Sequence, residues 1–311
     1  LKSLALEKRR KIYEKTAHKM AQMSVYEKKI KRNYFHWKPL EKSQLTNWKE
    51  YLEWVKSQED ETDLIILTFE RAIIPCALYE ELWIMYAHWR ESRKEFVESE
   101  SILERAHYIH CPKSPMITLL YSSTIEAKKS PKEALSILRS FNMVVPGNLM
   151  IINRYLATLK RQLKQSGEKE IIRVYENLIK YGDISPSEDN FEPSREIVSY
   201  YSMHFARYLA KVLKDHTTAE EVIRAAIKKD FDNEQLYLQL ISIAMDQKTM
   251  NEFDVCEAFD VCIRNVKVDY ALRLKFSQRK LNFLEEYSAD IRKIRSHTIF
   301  HKSLISKVSL K

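Results

Sequence analysis

Apolar residues recur along this chain at i, i+3, i+4 and i+7, the spacing that lines one face of an α-helix. Trp48, Tyr51, Leu52 and Val55 form one such stripe, and Leu82, Trp83, Tyr86 and Ala87 form another. No stretch combines sustained alternation with β-branched residues, so no sheet is expected. The pattern predicts an all-α chain.

The stripes themselves repeat. Trp48-x-x-Tyr51 returns 35 residues later as Trp83-x-x-Tyr86, and Tyr121 lies 35 after Tyr86. Phe69-Glu70-Arg71-Ala72 returns after 34 residues as Leu103-Glu104-Arg105-Ala106, and Leu138-Arg139 follows Glu104-Arg105 by 34. Two landmarks of different chemistry on nearly one period mark a repeat unit of two helices. One pair cannot cover its own apolar face, so neighbours must stack into an α-solenoid. About seven to eight pairs are expected, at 6–35, 44–78, 80–111, 115–141, 148–181, 196–229, 233–264 and 268–300. The second-helix slot becomes degenerate later, at Tyr175-Glu176-Asn177-Leu178, Ile223-Arg224-Ala225-Ala226 and Phe259-Asp260-Val261-Cys262. The stretch 181–195 holds Gly182, two prolines and four acids, and breaks the period. It reads as an exposed loop or bend at 182–195, between a first sub-array at 1–181 and a second at 196–300, with a tail at 301–311.

Composition narrows the chemistry. Glycine occurs three times in 311 residues. Neither G-x-G-x-x-G nor G-x-x-x-x-G-K-[ST] is present, which excludes the commonest nucleotide-binding folds. The four cysteines include no C-x-x-C pair and read as reduced thiols of a cytosolic or nuclear protein. No signal peptide and no apolar run near 18 residues is seen, so no membrane span is expected. The first residue is Leu1 and not Met, as expected of a piece of a longer protein.

Net charge is +9, unevenly placed: +9 over residues 1–40, −8 over 41–263 and +8 over 264–311. The basic N-terminal cluster comprises Lys8, Arg9, Arg10, Lys28, Lys29, Lys31 and Arg32, interleaved with Tyr13, Tyr26, Tyr34 and Phe35. The preferred reading is an amphipathic helix with an aromatic core face and solvated lysines. The alternative is contact with RNA or an acidic partner, without any signature of specific RNA reading.

No catalytic site, cofactor, metal or small-molecule substrate is expected. His107-x-x-His110-Cys111 lacks further ligands for a closed metal site, and two prolines follow at once, marking a helix end. His297 and His301 have the spacing of H-E-x-x-H, but Thr298 stands where the general base would be. Glu70-Arg71 and Glu104-Arg105 recur with the period, which points to bridging between helices. Trp48, Tyr51, Phe69, Arg71, Trp83, Tyr86 and Arg105 are expected to form the repeat-stacking core.

The C-terminal stretch is both basic and too apolar for one buried stripe. A terminal repeat of a monomer should present a polar outer face. A second copy is therefore expected to pack here, through Tyr270, Leu274, Phe276, Arg279, Phe283, Tyr287 and Ile291.

The W-x-x-Y and E-R-A pattern at this period resembles the HAT (half-a-TPR) repeat of RNA-processing assemblies. The glycine of W-x-x-L-G-x-x-Y in a TPR repeat is absent. Ile30-Lys31-Arg32-Asn33-Tyr34-Phe35-His36-Trp37-Lys38-Pro39-Leu40 and Gln44-Leu45-Thr46-Asn47-Trp48-Lys49-Glu50-Tyr51-Leu52-Glu53 are similar to a segment of the pre-mRNA-processing factor 39 family. Further similar stretches lie at 69–87, 109–116 and 274–287. The match is thin over 142–232, and 297–311 has no counterpart. The resemblance implies a nuclear splicing scaffold associated with U1 snRNP proteins and 5′ splice-site choice. It also implies dimerisation with itself or a paralogue, and a further HAT array N-terminal to this one. Other HAT scaffolds, of 3′-end cleavage or ribosomal RNA processing, are disfavoured by the YFHWKPL segment.

Overall fold

A computed structural model describes residues 2–58, 61–163, 167–184, 192–246 and 250–308. Among the described residues are fifteen α-helices and no strand. The chain divides into two compact units, Leu1–Gln162 and Leu163–Lys311.

The first unit carries α1 (Lys2–Glu27), α2 (Lys42–Lys56), α3 (Thr62–Ala72), α4 (Glu80–Ser92), α5 (Phe96–Arg105), α6 (Pro115–Lys128), α7 (Pro131–Val144) and α8 (Leu149–Leu163). The second carries α9 (Glu168–Tyr181), α10 (Arg195–Tyr208), α11 (His216–Lys229), α12 (Glu234–Met245), α13 (Glu252–Ile263), α14 (Tyr270–Tyr287) and α15 (Ile291–Val308). A π-helical turn prolongs α5 over Ala106–His110 and α10 over Leu209–Leu213. Within each unit, helices consecutive in sequence pack on one another as an α-solenoid of helical pairs.

Local chemistry sets the boundaries. Ser-Pro pairs open α6 and α7: the Ser114 and Ser130 hydroxyls accept the Ile117 and Glu133 N–H groups at 3.2 and 3.3 Å. Proline at the first helical position removes a donor that would have no partner. Asp215, Asn233 and Asn251 cap α11, α12 and α13 in the same way. Gly182 ends α9 at φ 72°, the left-handed conformation that lets the chain turn back past a helix end.

Three expectations are corrected. Residues 6–35 are not a helical pair: α1 ends at Glu27, and residues 28–41 form an irregular segment before α2. The last stretch is not a tail, because α15 runs to Val308 and buries His301 and Leu304. The two units divide after Gln162, whereas the break was expected at 182–195. Residues 185–191 of that break lie outside the described residues, and α9 and α10 on either side of it pack together within the second unit.

The buried face of each pair is dominated by rings. Trp48, Tyr51, Phe69, Trp83, Tyr86, Tyr155, Tyr175, Tyr201, Tyr237 and Phe276 all lose essentially their whole surface to packing. Removing one such ring leaves a cavity that neighbouring helices cannot fill. Trp83→Ala is expected to lower stability by about 3–5 kcal/mol in urea unfolding. The exposed Val266→Ala should stay within about 0.5 kcal/mol of the parent. Equal small losses in the two variants would contradict the packing described.

Candidate functional site

The seam between successive repeats is built the same way at least three times. Tyr26, near the end of α1, lies on Tyr51 of α2 with centroids 5.1 Å apart and planes 7° apart, and also meets Trp54 at 5.7 Å. Phe69 of α3 lies on Tyr86 of α4 at 4.6 Å and 8°, and meets Trp89 at 5.8 Å. In the second unit Tyr175 of α9 lies on Phe205 of α10 at 5.1 Å and meets Tyr208 at 6.0 Å. In every case one ring rests on two rings three residues apart, a separation that puts both on one helical face.

An acid follows the first ring, and the next repeat grips it. Both Arg71 terminal nitrogens donate to the Glu27 carboxylate, at 2.8 and 3.0 Å, and the Tyr51 hydroxyl donates to it at 2.8 Å. Arg105 holds Glu70 at 3.0 and 3.2 Å, with its guanidinium 5.3 Å from the Trp83 ring centre. Away from these ring seams, where Glu126 of α6 follows Ile125, Arg161 of α8 grips it with the same paired donors, at 2.7 Å for one terminal nitrogen. Paired donors match the two carboxylate oxygens, so each contact sets orientation as well as distance. The side chains are partly solvated, so each pair contributes only about 1 kcal/mol or less.

Of the expected stacking core, Trp48, Tyr51, Phe69, Trp83 and Tyr86 are buried, and Arg71 and Arg105 sit half-exposed on the seam. Glu27, Trp54, Trp89, Phe205 and Tyr208 belong to these seams and are not singled out by the sequence, whereas Tyr175 is marked only by its second-helix slot. Trp54 and Trp89 stand 35 residues apart, so the period could have found them. Tyr26-Glu27 was hidden because residues 28–41 put it 43 residues before Phe69-Glu70.

The basic cluster does not form one amphipathic helix. Lys8, Arg9 and Arg10 lie on a length of α1 exposed all round, where Tyr13 is exposed too. Only the end of α1, through Met23 and Tyr26, packs on the core. Lys28, Lys29 and Lys31 are exposed in the irregular segment, with the Lys31 ammonium 3.6 Å from Glu41. Arg32 is half-buried and donates to the Lys38 carbonyl at 3.1 Å.

The expected interface at α14 is also corrected in part. Phe276 and Phe283 are 0% and 5% exposed within the chain's own core. Phe276 meets Tyr237 edge-on at 5.8 Å, and Phe283 meets Phe259 at 6.0 Å. Tyr270 donates through its hydroxyl to the Leu304 carbonyl, Arg279 sits near Glu234 at 3.4 Å, and Leu274 is half-buried. The physical reason is that helices of the same chain cover α14: α12 and α13 receive Phe276 and Phe283, and α15 meets Tyr270 and Ser277. Tyr287 and Ile291 remain exposed, at 53% and 64%.

The histidines and the cysteine of the two candidate metal motifs have structural partners. His107 shares a hydrogen bond with the Thr118 hydroxyl at 3.1 Å, His110 stacks on Trp83 at 4.9 Å, and the Cys111 thiol faces the Ala77 carbonyl. His297 and His301 both reach Ser277, at its carbonyl (2.9 Å) and its hydroxyl (3.0 Å). Burial pushes the Cys76 and Cys262 thiols up to about 12 and Cys111 to about 11, so all three stay protonated and unreactive. Among the described residues no three His, Cys, Asp or Glu side chains gather as a metal site would require, and no helix is long and apolar enough to cross a membrane.

Comparison with known proteins agrees with this architecture. Residues 21–161 match the family model described as PRP39 C-terminal HAT repeat. The chain is 33% identical over 302 residues to pre-mRNA-processing factor 39 of Xenopus laevis, covering 96% of this chain and 44% of the relative. Nearly its whole length is similar to the pre-mRNA-processing factor 39 family. The Homo sapiens member is 32% identical over 292 residues, covering 93% and 41% of the two chains. The U1 small nuclear ribonucleoprotein component PRP42 of Saccharomyces cerevisiae is 28% identical over 102 residues, covering 32% and 19%. The chain thus spans about two fifths of the length of its family relatives.

The seam carries a pH dependence. The Arg71 guanidinium bonded to Glu27 holds that carboxyl below the ordinary carboxylate value, and Arg90, Lys128 and Arg161 do the same for Glu95, Glu100 and Glu126. A carboxyl depressed in the folded state contributes stability above its unfolded pKa, here near 4.5, and loses it as pH falls through the folded value. Urea midpoints of the first unit should therefore fall steeply below about pH 4.5. Arg71→Met should remove the Glu27 share, flattening the slope. An unchanged slope in that variant would show the pair contributes nothing.

Proposed function

We propose that this chain is a nuclear scaffold subunit of pre-mRNA splicing, associated with the U1 snRNP and 5′ splice-site selection, and that it homodimerises through its C-terminal repeats. Similarity to the pre-mRNA-processing factor 39 family and to a U1 snRNP component supports the pathway. The repeat architecture supports action by geometry. Stacked helical pairs present their outer surfaces at fixed separation, and a second copy doubles the number of docking surfaces without any new contact type.

One observation carries the dimer. Four large apolar side chains, Ile291, Ile299, Phe300 and Ile305, stay exposed on α15 among the cations Arg292, Lys293, Arg295 and Lys302, and Tyr287 is exposed at the end of α14. Large apolar side chains gathered on exposed helix surface mark a site where a partner docks. The basic C-terminal segment and the acidic middle of the chain, +8 and −8, make a second copy electrostatically suitable.

Light scattering over a concentration range tests this reading. The native chain should hold near twice 37.0 kDa, and Tyr287→Glu/Ile291→Glu should fall to the single mass with its helical signal intact. Phe276→Glu is not an interface test, because that ring lies in the intrachain core. A native chain that stays at 37.0 kDa at every concentration excludes the dimer.

A further inference from the structure

The segment between α1 and α2 has a composition its connecting role does not require. Residues 28–40 hold Lys28, Lys29, Lys31, Arg32 and Lys38 with no acid, and three large rings lie within 34–37. Tyr34, Phe35 and Trp37 are 57%, 53% and 73% exposed. Water-facing rings gain nothing for the fold, and no other described stretch exposes three large rings within four residues.

The segment is nonetheless held tightly. The buried Gln44 side chain accepts the Lys31 N–H at 2.8 Å and donates to the Lys29 carbonyl at 2.7 Å. Buried Asn47 donates to the Tyr26 carbonyl at 3.1 Å. Arg32 ties the near side to the Lys38 carbonyl, the Lys38 N–H donates to His36 Nδ1 at 3.0 Å, and the Leu40 N–H donates to the Tyr79 hydroxyl at 2.7 Å. Two polar residues of α2 and one hydroxyl of the next repeat therefore fix a loop whose rings point into solvent. A partial stack already exists there: His36 lies on Trp37 at 5.7 Å and 23°, and the Lys38 ammonium sits 5.8 Å from the Trp37 ring centre.

We propose that residues 28–38 form a docking platform for single-stranded RNA. Unpaired bases have free faces that extend a stack of rings, and the flanking cations meet the phosphates. A duplex hides those faces, and an acidic peptide would satisfy the cations while leaving the rings in water. Preorganisation of the loop removes the ordering cost such a contact would otherwise carry. The choice of RNA over DNA rests on the splicing reading, whereas the platform does not depend on the dimer. Lys31 is engaged by Glu41 and Arg32 by backbone carbonyls, whereas Lys28, Lys29 and Lys38 are exposed and pair with no acid among the described residues, Lys29 and Lys38 lying over the Tyr26 and Trp37 rings.

Fluorescence anisotropy with a labelled 12-nucleotide oligouridine, using the whole chain, tests the platform. Affinity should fall with salt at a log–log slope of roughly −2, for about three phosphates at −0.7 each. Tyr34→Ala/Phe35→Ala/Trp37→Ala should weaken binding at least roughly tenfold without altering the slope. Lys28→Ser/Lys29→Ser/Lys38→Ser should flatten the slope. Because every substituted side chain is exposed, the circular dichroism melt and the light-scattering mass should not change. A ring variant that binds like the parent overturns the proposal. So does double-stranded RNA binding as tightly as oligouridine, or polyglutamate binding while oligouridine does not. Loss of the RNA signal with an intact dimer removes this inference alone.

Discussion

One ring laid across two is the contact on which the rest of the chain depends. A pair of helices has too little facing surface to bury its own apolar stripe, so its stability is completed by the next pair. Tyr26 on Tyr51 and Trp54, Phe69 on Tyr86 and Trp89, and Tyr175 on Phe205 and Tyr208 are the same solution to that constraint. Aromatic rings suit it because each buries a large flat area with few rotamers to fix. The acid beside the ring and the arginine that reaches it add little energy, but they allow only one register.

That register is why so much of the fold could be read from the sequence. Trp48 and Trp83, or Glu70-Arg71 and Glu104-Arg105, keep their spacing because a slip would break the stack and the ion pair together. Legibility failed where something interrupted the period. Residues 28–41 displaced Tyr26-Glu27 out of step, so the first seam went unseen. It failed again at α14 for a different reason. Apolar periodicity shows that a face is covered without showing by what, and Phe276 and Phe283 look the same whether Tyr237 and Phe259 of this chain or a second chain lies over them. The histidines that seat α15, His297 and His301 on Ser277, carried no sequence signal except a misleading likeness to a zinc motif.

The charge pattern divides along similar lines. Some cations within the arrays are engaged with acids of neighbouring helices, as Lys280 with Asp260 at 2.6 Å and Lys128 with Glu100 at 2.8 Å. Cations of α1 and of the segment after it mostly face water beside exposed rings. Net charge alone could not distinguish the two populations, because burial and pairing decide which positive groups remain available to a partner.

The seams have a direction. At the first two, the earlier repeat presents a ring and a carboxylate and the later repeat brings the rings and the guanidinium. As the polypeptide leaves the ribosome, N-terminal end first, the α1 half-seam exists before anything is there to occupy it. Each new repeat finds a finished template behind it and leaves another in front. Such a chain can grow by accretion, one helix pair at a time, without waiting for distant segments to be synthesised. The register set by Tyr26 and Glu27 is then passed forward to Phe69 and Glu70 before the later repeats emerge.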